Sequence, residues 1–320
     1  MIAEKTTIAK LNSDGLSLDS VSLWQITWRR LFQRRSAVVG FIILGLLIFV
    51  AFTAQWLAPY DPTKSMLDIK DYPIAVPEKR ASPCIHLFGC PADQPQHIAG
   101  TDGNLRDQFS RLLYGSRLSL MVGFSTVTFA IIIGTVLGAI AGYFGGWWDN
   151  IIMRIMDVLL AFPSLLLAIA IVTVLGPGLI NALLAIGIVS IPAYARVMRA
   201  SVLSVREMDY VSATRALGGN NMQILFNRIL PNALTPLIVQ GTLGIASAIL
   251  DAAALSFIGL GAQPPTPEWG SMLGAERNQV FTAPHLVFYP GFAIMLTVLS
   301  FNLIGDGLRD ALDPRLAHLS

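Results

Sequence analysis

Two stretches of this chain contain no charged side chain, one between Arg117 and Asp149 and one from Val158 to Ala195. The hydrocarbon core of a bilayer takes about 20 apolar residues at about 1.5 Å of rise each, so runs of this length suit a membrane better than water. Lipid offers the backbone no hydrogen-bond partners, and an uninterrupted apolar run must satisfy its own as a helix. Composition agrees: 54% of residues are hydrophobic and 13% charged, against roughly a quarter charged in an ordinary globular domain. The expected fold class is all-α, a polytopic membrane protein. By length the 320 residues would allow two soluble domains, but the charge-free runs leave room for one bundle and short loops. A net charge of +2 is too small to point to nucleic acid.

Six spans follow. Ser36 to Leu57 is the first, and Leu118 to Tyr143 fits the second. The run from Val158 to Ala195 is too long for one crossing and carries the breaker Gly176-Pro177-Gly178 near its middle, so it predicts two helices. Ala233 to Leu260 and His285 to Ile304 supply the fifth and sixth. The chain thus divides into an N-terminal segment (1–35), a first transmembrane helix (36–57), an outer loop (58–117), a core (118–308) containing a loop at 206–232, and a tail (309–320).

Orientation follows from positive charge in short loops and at helix ends. Arg29, Arg30, Arg34 and Arg35 crowd the start of the first helix and put the N-terminus in the cytoplasm. Six crossings then bring Arg154, the arginines from Arg196 to Arg228, and Arg309 with Arg315 to the same side, along with the C-terminus. The lysines and arginines of the outer loop weigh little, because long loops escape this rule. The basic N-terminal segment has no small-residue cleavage site and does not read as a removable signal.

The outer loop holds seven prolines from Pro59 to Pro95 and is expected to have little regular structure. It also holds both cysteines, Cys84 and Cys90, which can bridge if Gly89 allows the turn; a disulfide there would add about 2 kcal/mol. Two free thiols, or a zinc site shared with His86 and His97, are the alternatives, although that spacing fits no common zinc pattern. Asp102 to Ser116 reads as a short amphipathic helix in the interface or as the first turns of the second span.

The stretch from Arg206 to Asn232, REMDYVSATRALGGNNMQILFNRILPN, is too charged to remain in lipid, where each Arg or Asp costs about 3 kcal/mol. Tyr210, Ala213, Thr214 and Leu217 recur at helical spacing, and Gly218-Gly219-Asn220 ends that helix. A second helix after Asn220 would place Met222, Leu225, Phe226 and Ile229 on one face before Pro231 opens the next span. A passive connector needs only a few residues; this one presents a surface.

The pattern Ser212-Ala213-Thr214, Gly218, then Ile229-Leu230-Pro231 resembles the loop by which permease subunits of binding-protein-dependent ABC importers meet their ATPases. Ser212 stands where that family often has glutamate, and Arg228 where it usually has isoleucine. GTDGNLRDQFSRLLYGSRLSL from Gly100 to Leu120 is similar to the family's GTD-x-x-GRD-x-x-SRLLYG segment, with Leu105 at a family glycine. Tyr143 to Ala168, Ile249 to Leu273 and Phe301 to Leu316 also look like the second permease subunit of peptide importers, nearest to the dipeptide branch. The resemblance covers about Arg30 to Leu316. It implies the type I ABC importer permease fold and a bacterial inner-membrane half-channel for dipeptides, with oligopeptides, glutathione, haem or nickel chelates as other cargoes. It also implies a homologous permease as heterodimer partner, two ATP-binding subunits that hold ATP and Mg, and an extracytoplasmic peptide-binding protein. By the same resemblance Met208, Tyr210, Ser212, Ala213, Thr214, Leu217 and Gly218 meet the ATPase. A phosphate-cradling loop needs Gly-Lys, and none of the five lysines follows a glycine, so no ATP site is expected in this chain; the four histidines, His86, His97, His285 and His318, are scattered, and no catalytic or metal group is expected either.

Two carboxylates in the spans, Asp251 and Asp157, either line a path or bond to a neighbouring helix. Gly261 to Gly270 is too rich in Gly and Pro for a helix and reads as an outer loop, with Gln263, Glu268 and Trp269 as outer-gate candidates or, for the latter two, interfacial anchors. A secondary transporter or channel acting alone is the competing class; it would be expected to carry paired repeats and ion-coupling residues in broken helices, and no span has a second copy here.

Overall fold

A computed structural model describes residues 23–68, 77–91 and 94–312; the N-terminal segment before Leu23 and the tail with Arg315 lie outside the described residues. The chain is helical: α1 (Leu23–Gln33), α2 (Arg35–Leu57), α3 (Gln108–Phe144), α4 (Gly146–Leu160), α5 (Ser164–Leu175), α6 (Leu179–Arg206), α7 (Asp209–Ala216), α8 (Asn221–Ile224), a π turn at Leu225–Ile229, α9 (Leu230–Ala233), α10 (Thr235–Phe257), α11 (Trp269–Glu276) and α12 (His285–Leu312). Helices α2, α3, α6, α10 and α12 are each long and apolar enough to cross a membrane, and α4 with α5 makes a sixth crossing if that pair, bent by 91°, is one span.

The bend corrects the expectation of a helix starting at Val158. Helix α4 begins twelve residues earlier, after Gly145 and Gly146, both at positive φ, and breaks at Pro163, whose ring disfavours helical backbone at Phe162. Two of the three charges that seem to exclude this stretch from a span are paired: Arg199 grips Asp149 with two bonds of 2.5 and 2.6 Å, and Arg196 reaches Asp157 at 2.5 Å. Both arginines come from α6, so α4 is tied to it along one side. The second break, at Gly176 to Gly178, falls where the sequence puts it.

The most extensive helix pair is α3 with α6, and glycine makes it possible. Gly134, Gly138 and Gly142 lie on one face of α3 at a spacing of four. A Cβ on Gly138 would collide with the Ala195 carbonyl oxygen and sit 2.8 Å from the Met198 Cβ, and one on Gly142 would lie 2.9 Å from the Arg199 carbonyl oxygen. The two backbones touch, as small-residue stripes permit between helices in lipid. Helices α2, α10 and α12 pack around this pair, and the outward residues Ile42, Leu46, Phe49 and Phe52 of α2 recur at helical spacing as an exposed apolar stripe.

The connections fall into two layers at opposite ends of the bundle. In one layer Arg111 donates to the carbonyls of Pro62 and Pro265 at 2.8 and 3.0 Å, Arg80 pairs with Glu276 at 2.7 Å, and the Gly178 N–H donates to the Leu260 carbonyl at 3.0 Å. In the other layer Arg206 donates to the carbonyls of Gly142 and Tyr143 at 3.2 and 3.1 Å, closing the end of α3 against the end of α6. Helix α1 belongs to this second end: Leu31 is buried with Ala37 and Ala311, while Trp28 stacks on Phe32 at 5.7 Å and Phe32 on Phe41 at 5.6 Å.

The segment 58–107 has only short turns and isolated bridges among its described residues. Residues 102–107 are not helical, and α3 starts at Gln108, capped by Asp107, which accepts from the Ser110 N–H at 2.7 Å. Burial pushes the Asp107 carboxyl above its ordinary value, against the hydrogen bonds from Ser110. Leu105, at the position of a family glycine, adopts φ +59°. That left-handed backbone costs a non-glycine residue about 1–2 kcal/mol. It is held by hydrogen bonds from the Met66 N–H to the Leu105 carbonyl at 2.8 Å and from the Leu105 N–H to the Asp102 carbonyl at 3.0 Å. The leucine side chain, 7% exposed, recovers part of that cost by burial.

Glu276 anchors this segment, taking the Arg80 guanidinium and the Gly103 N–H at 2.9 Å. Glu276→Ala is expected to destabilise the segment by about 2 kcal/mol, because Arg80 and a backbone donor both lose their acceptor. Hydrogen exchange would register this as faster exchange at Gly103, with rates in α3 and α6 unchanged.

Candidate functional site

The loop between α6 and α10 forms a helix-turn-helix seated on the ends of α3 and α6 that Arg206 closes. Helix α7 begins after Met208, whose extended backbone (φ −76°, ψ 147°) turns the chain away from α6. It ends where Gly218 takes φ +87°, a conformation open to glycine, and the Gly219 N–H donates to the Thr214 carbonyl at 3.1 Å. Asn220 then caps the next helix, accepting from the Gln223 N–H at 2.7 Å.

One residue of α7, Val211, points inward and is fully buried among Tyr143, Val202, Val205, Ile224 and Ile229. Tyr143 also donates from its hydroxyl to the Asn221 side-chain carbonyl at 2.9 Å, so α3 holds the second limb of the loop directly. Tyr210 donates to the Arg228 carbonyl at 3.5 Å, joining the two limbs across the turn. With these anchors the rest of α7 faces out: Ser212, Ala213, Leu217 and Gly218 are exposed, Met208 and Tyr210 are partly so, and Thr214 is half-buried. Leu217 is 88% exposed at the tip. A cleft of about 250 Å³ opens beside it, lined by Thr214, Leu217, Gly218, Gly219, Gln223, Asn227 and Arg228.

The second limb differs from its expected single apolar face. Leu225 and Ile229 are buried with Ile224, but Met222 and Phe226 are each 58% exposed. The limb passes from α8 into a π turn at Leu225–Ile229, with Met222 and Phe226 on the edge turned away from the core. The outward surface therefore gains Met222 and Phe226 beside Leu217.

The candidate carboxylates separate. Asp157 pairs with Arg196, about half of each side chain remaining exposed. Asp251 is half-buried on α10 and has no hydrogen-bond or ion-pair partner among the described residues. It shares one side of α10 with Gln240 and Ser247, at spacings of seven and four; Ser247 is exposed, and Gln240 borders a cleft that Val197 of α6 and Arg309 of α12 also line.

At the other end, Glu268 and Trp269 are not interfacial anchors. Trp269, 1% exposed, donates from its indole N–H to the Leu112 carbonyl at 3.0 Å, and its ring fills the space above Gly115. Glu268, 3% exposed, caps α11 by accepting from the N–H groups of Gly270 and Ser271; burial pushes its carboxyl up against those bonds. Both positions join α3, α10 and α11. Gln263 alone of the three gate candidates is exposed, with its amide donating to the carbonyls of Gly259 and Gly261. Cys84 and Cys90 are joined in a disulfide with Cα atoms 5.2 Å apart, which leaves no thiolate for a zinc ion.

Comparison with known proteins follows the same lines. Residues 134–318 match the family model described as binding-protein-dependent transport system inner membrane component, and residues 22–77 match the N-terminal TM domain of oligopeptide transport permease C. The chain is 50% identical over 297 residues to the dipeptide transport system permease protein DppC of Alkalihalophilus pseudofirmus, covering 93% of this chain and 91% of that one. It is 47% identical to the di/tripeptide transport system permease protein DppC of Pseudomonas aeruginosa, covering 91% of this chain and 92% of that one. It is also 45% identical to the glutathione transport system permease protein GsiD of Pectobacterium atrosepticum, covering 92% and 91%. Among solved structures, an inward-facing form of the MetNI methionine ABC transporter matches with a TM-score of 0.53 at 19% identity, covering 63% of this chain and 97% of that one, a likeness of fold.

Proposed function

The chain belongs to the family of inner membrane components of binding-protein-dependent transport systems, and we propose that it forms half of the translocation path of an importer for dipeptides. As a permease of this family it is a non-catalytic, multi-pass membrane subunit. Its partners in this reading are a homologous permease, two ATP-binding subunits that carry ATP and Mg, and an extracytoplasmic peptide-binding protein. Both termini lie in the cytoplasm, as the arginines at the start of α2 favour. The layer with Arg206 then faces the cytoplasm and the layer with Arg111 faces outward.

The observation that carries the coupling role is the exposed apolar tip of a loop whose root is fully packed. Met208, Tyr210, Ser212, Ala213, Thr214, Leu217 and Gly218 meet the ATPase; Met222 and Phe226 widen the contact. A groove closing on this surface moves α6 and α3 together, because Arg206 and Val211 fasten the loop to both. ATP binding biases the permease through contacts that differ between the two states of that groove.

Short peptides as cargo are supported by three relatives, two of them permeases for di- or tripeptides and one for glutathione, itself a small peptide. The Gln240, Ser247 and Asp251 face of α10 is the path-lining surface in this reading, its carboxylate available to a peptide amine. Uptake of labelled dipeptide by cells is expected to vanish when the ATP-binding subunits are deleted. Uptake persisting without them overturns the importer reading, and uptake of glutathione in place of dipeptide reassigns the cargo.

A further inference from the structure

The outer segment builds a small rigid finger that none of the roles above uses. Cys84 and Cys90 close a loop whose turn is His86–Phe88, with Gly89 at φ +96° completing the reversal. Its stem is pinned on the opposite strand: Cys84 and His97 exchange two backbone hydrogen bonds of 2.9 Å, and His86 Nε2 meets the Gln94 carbonyl at 2.9 Å. His97 is itself buried, its Nδ1 at 2.8 Å from the Pro95 carbonyl. From there the chain runs through Gly100, whose carbonyl accepts from the Gln108 N–H at 3.0 Å, straight into α3. At the tip, Leu87 and Phe88 are 86% and 82% exposed.

A cross-link that fixes two large apolar side chains in solvent has a cost in solubility and no benefit to this chain's own core. Its benefit is to a partner, since a preorganised tip binds without paying to order itself. On the outer side, a binding-protein-dependent transporter has one class of soluble protein partner, the binding protein, which must dock there to deliver cargo. A lipid-inserting tip would be favoured by free basic side chains beside it; of the two that precede the finger, Lys79 and Arg80, Arg80 is held by Glu276 at 2.7 Å, and residues 84–90 contain none. We propose that the Cys84–Cys90 finger is a docking contact for the extracytoplasmic binding protein, with Leu87 and Phe88 entering an apolar recess on it. The inference rests on the importer reading and on its orientation.

The test uses the complete transporter in nanodiscs with its cognate binding protein, and reads the binding-protein concentration that half-stimulates ATP hydrolysis. The double substitution Leu87→Ser, Phe88→Ser is expected to raise that concentration at least tenfold, with the unstimulated rate and the maximal stimulated rate unchanged. The unchanged unstimulated rate shows that the complex is folded. An unchanged half-stimulating concentration overturns the proposal. So does Phe88→Trp fluorescence that is quenched by brominated lipids and indifferent to the binding protein, since the tip then lies in the bilayer. Failure of the importer reading looks different: the wild-type complex itself would show no stimulation by the binding protein.

Discussion

Gly138→Leu is expected to abolish transport and to remove most of the folded subunit from the membrane. The added side chain has nowhere to go: its Cβ alone meets the Ala195 carbonyl oxygen and the Met198 side chain, and backbone cannot step aside as a flexible side chain can. Overpacking commonly costs 1–3 kcal/mol, and here three glycines in one stripe hold two backbones together, so about 3 kcal/mol or more is expected. That is a large part of a typical folding free energy. Gly45 on α2 is the control, because a Cβ there meets nothing within 4 Å. Gly45→Leu should leave abundance and uptake within twofold of wild type. Equal behaviour of the two variants in a membrane immunoblot and an uptake assay would sink the role assigned to the glycine stripe.

Leu217→Asp is expected to uncouple the transporter while leaving the subunit folded. Leu217 is 88% exposed, so the change costs this chain's own packing almost nothing. If the tip sits in an ATPase groove, a carboxylate there must be desolvated against apolar neighbours, a penalty of several kcal/mol that weakens the subunit contact at least a hundredfold. Uptake should fall to background, and ATPase subunits should no longer co-purify in detergent, at normal permease abundance. Val211→Asp makes the contrast: that side chain is fully buried in the loop's root, so the loop itself should unfold and the subunit should lose thermal stability. Normal uptake by Leu217→Asp would show that the tip is not the contact.

The ends of the coupling loop's helices were legible because the signals are local. Gly218 and Asn220 are a C-cap glycine and an N-cap asparagine, and each acts within four residues of itself. The inward anchor was not legible. Val211 lies between Tyr210 and Ser212, and only tertiary placement over Tyr143 and Ile224 decides that it, and not Tyr210, turns inside. Helical spacing puts Met222 and Phe226 in one arc with Leu225 and Ile229, and only tertiary packing decides that Leu225 and Ile229 are the covered edge of it. The α4 boundary was missed for an electrostatic reason: Asp149, Arg154 and Asp157 look prohibitive for a span until Arg199 and Arg196, some 40 to 50 residues later, are seen to neutralise two of them. The spacing of four from Gly134 to Gly142 says little by itself, because its partner, the backbone of α6 at Ala195 and Arg199, lies far along the chain. Trp269 belongs to the same class, since its indole acceptor lies at Leu112, far away in sequence.

The closure of α3 onto α6 bears on how such a subunit can change over evolutionary time. Where two backbones touch at three successive glycines and the ends are sealed by Arg206, neither helix can drift in sequence or slide alone. In the importer reading proposed above, alternating access would then not come from shear between these two helices. It would come from the Ser247 and Asp251 side of α10 and from whatever opposes it on the proposed homologous permease. Variants that shift the balance between inward and outward states should therefore collect along that seam between subunits, and the glycine pair should be nearly empty of them.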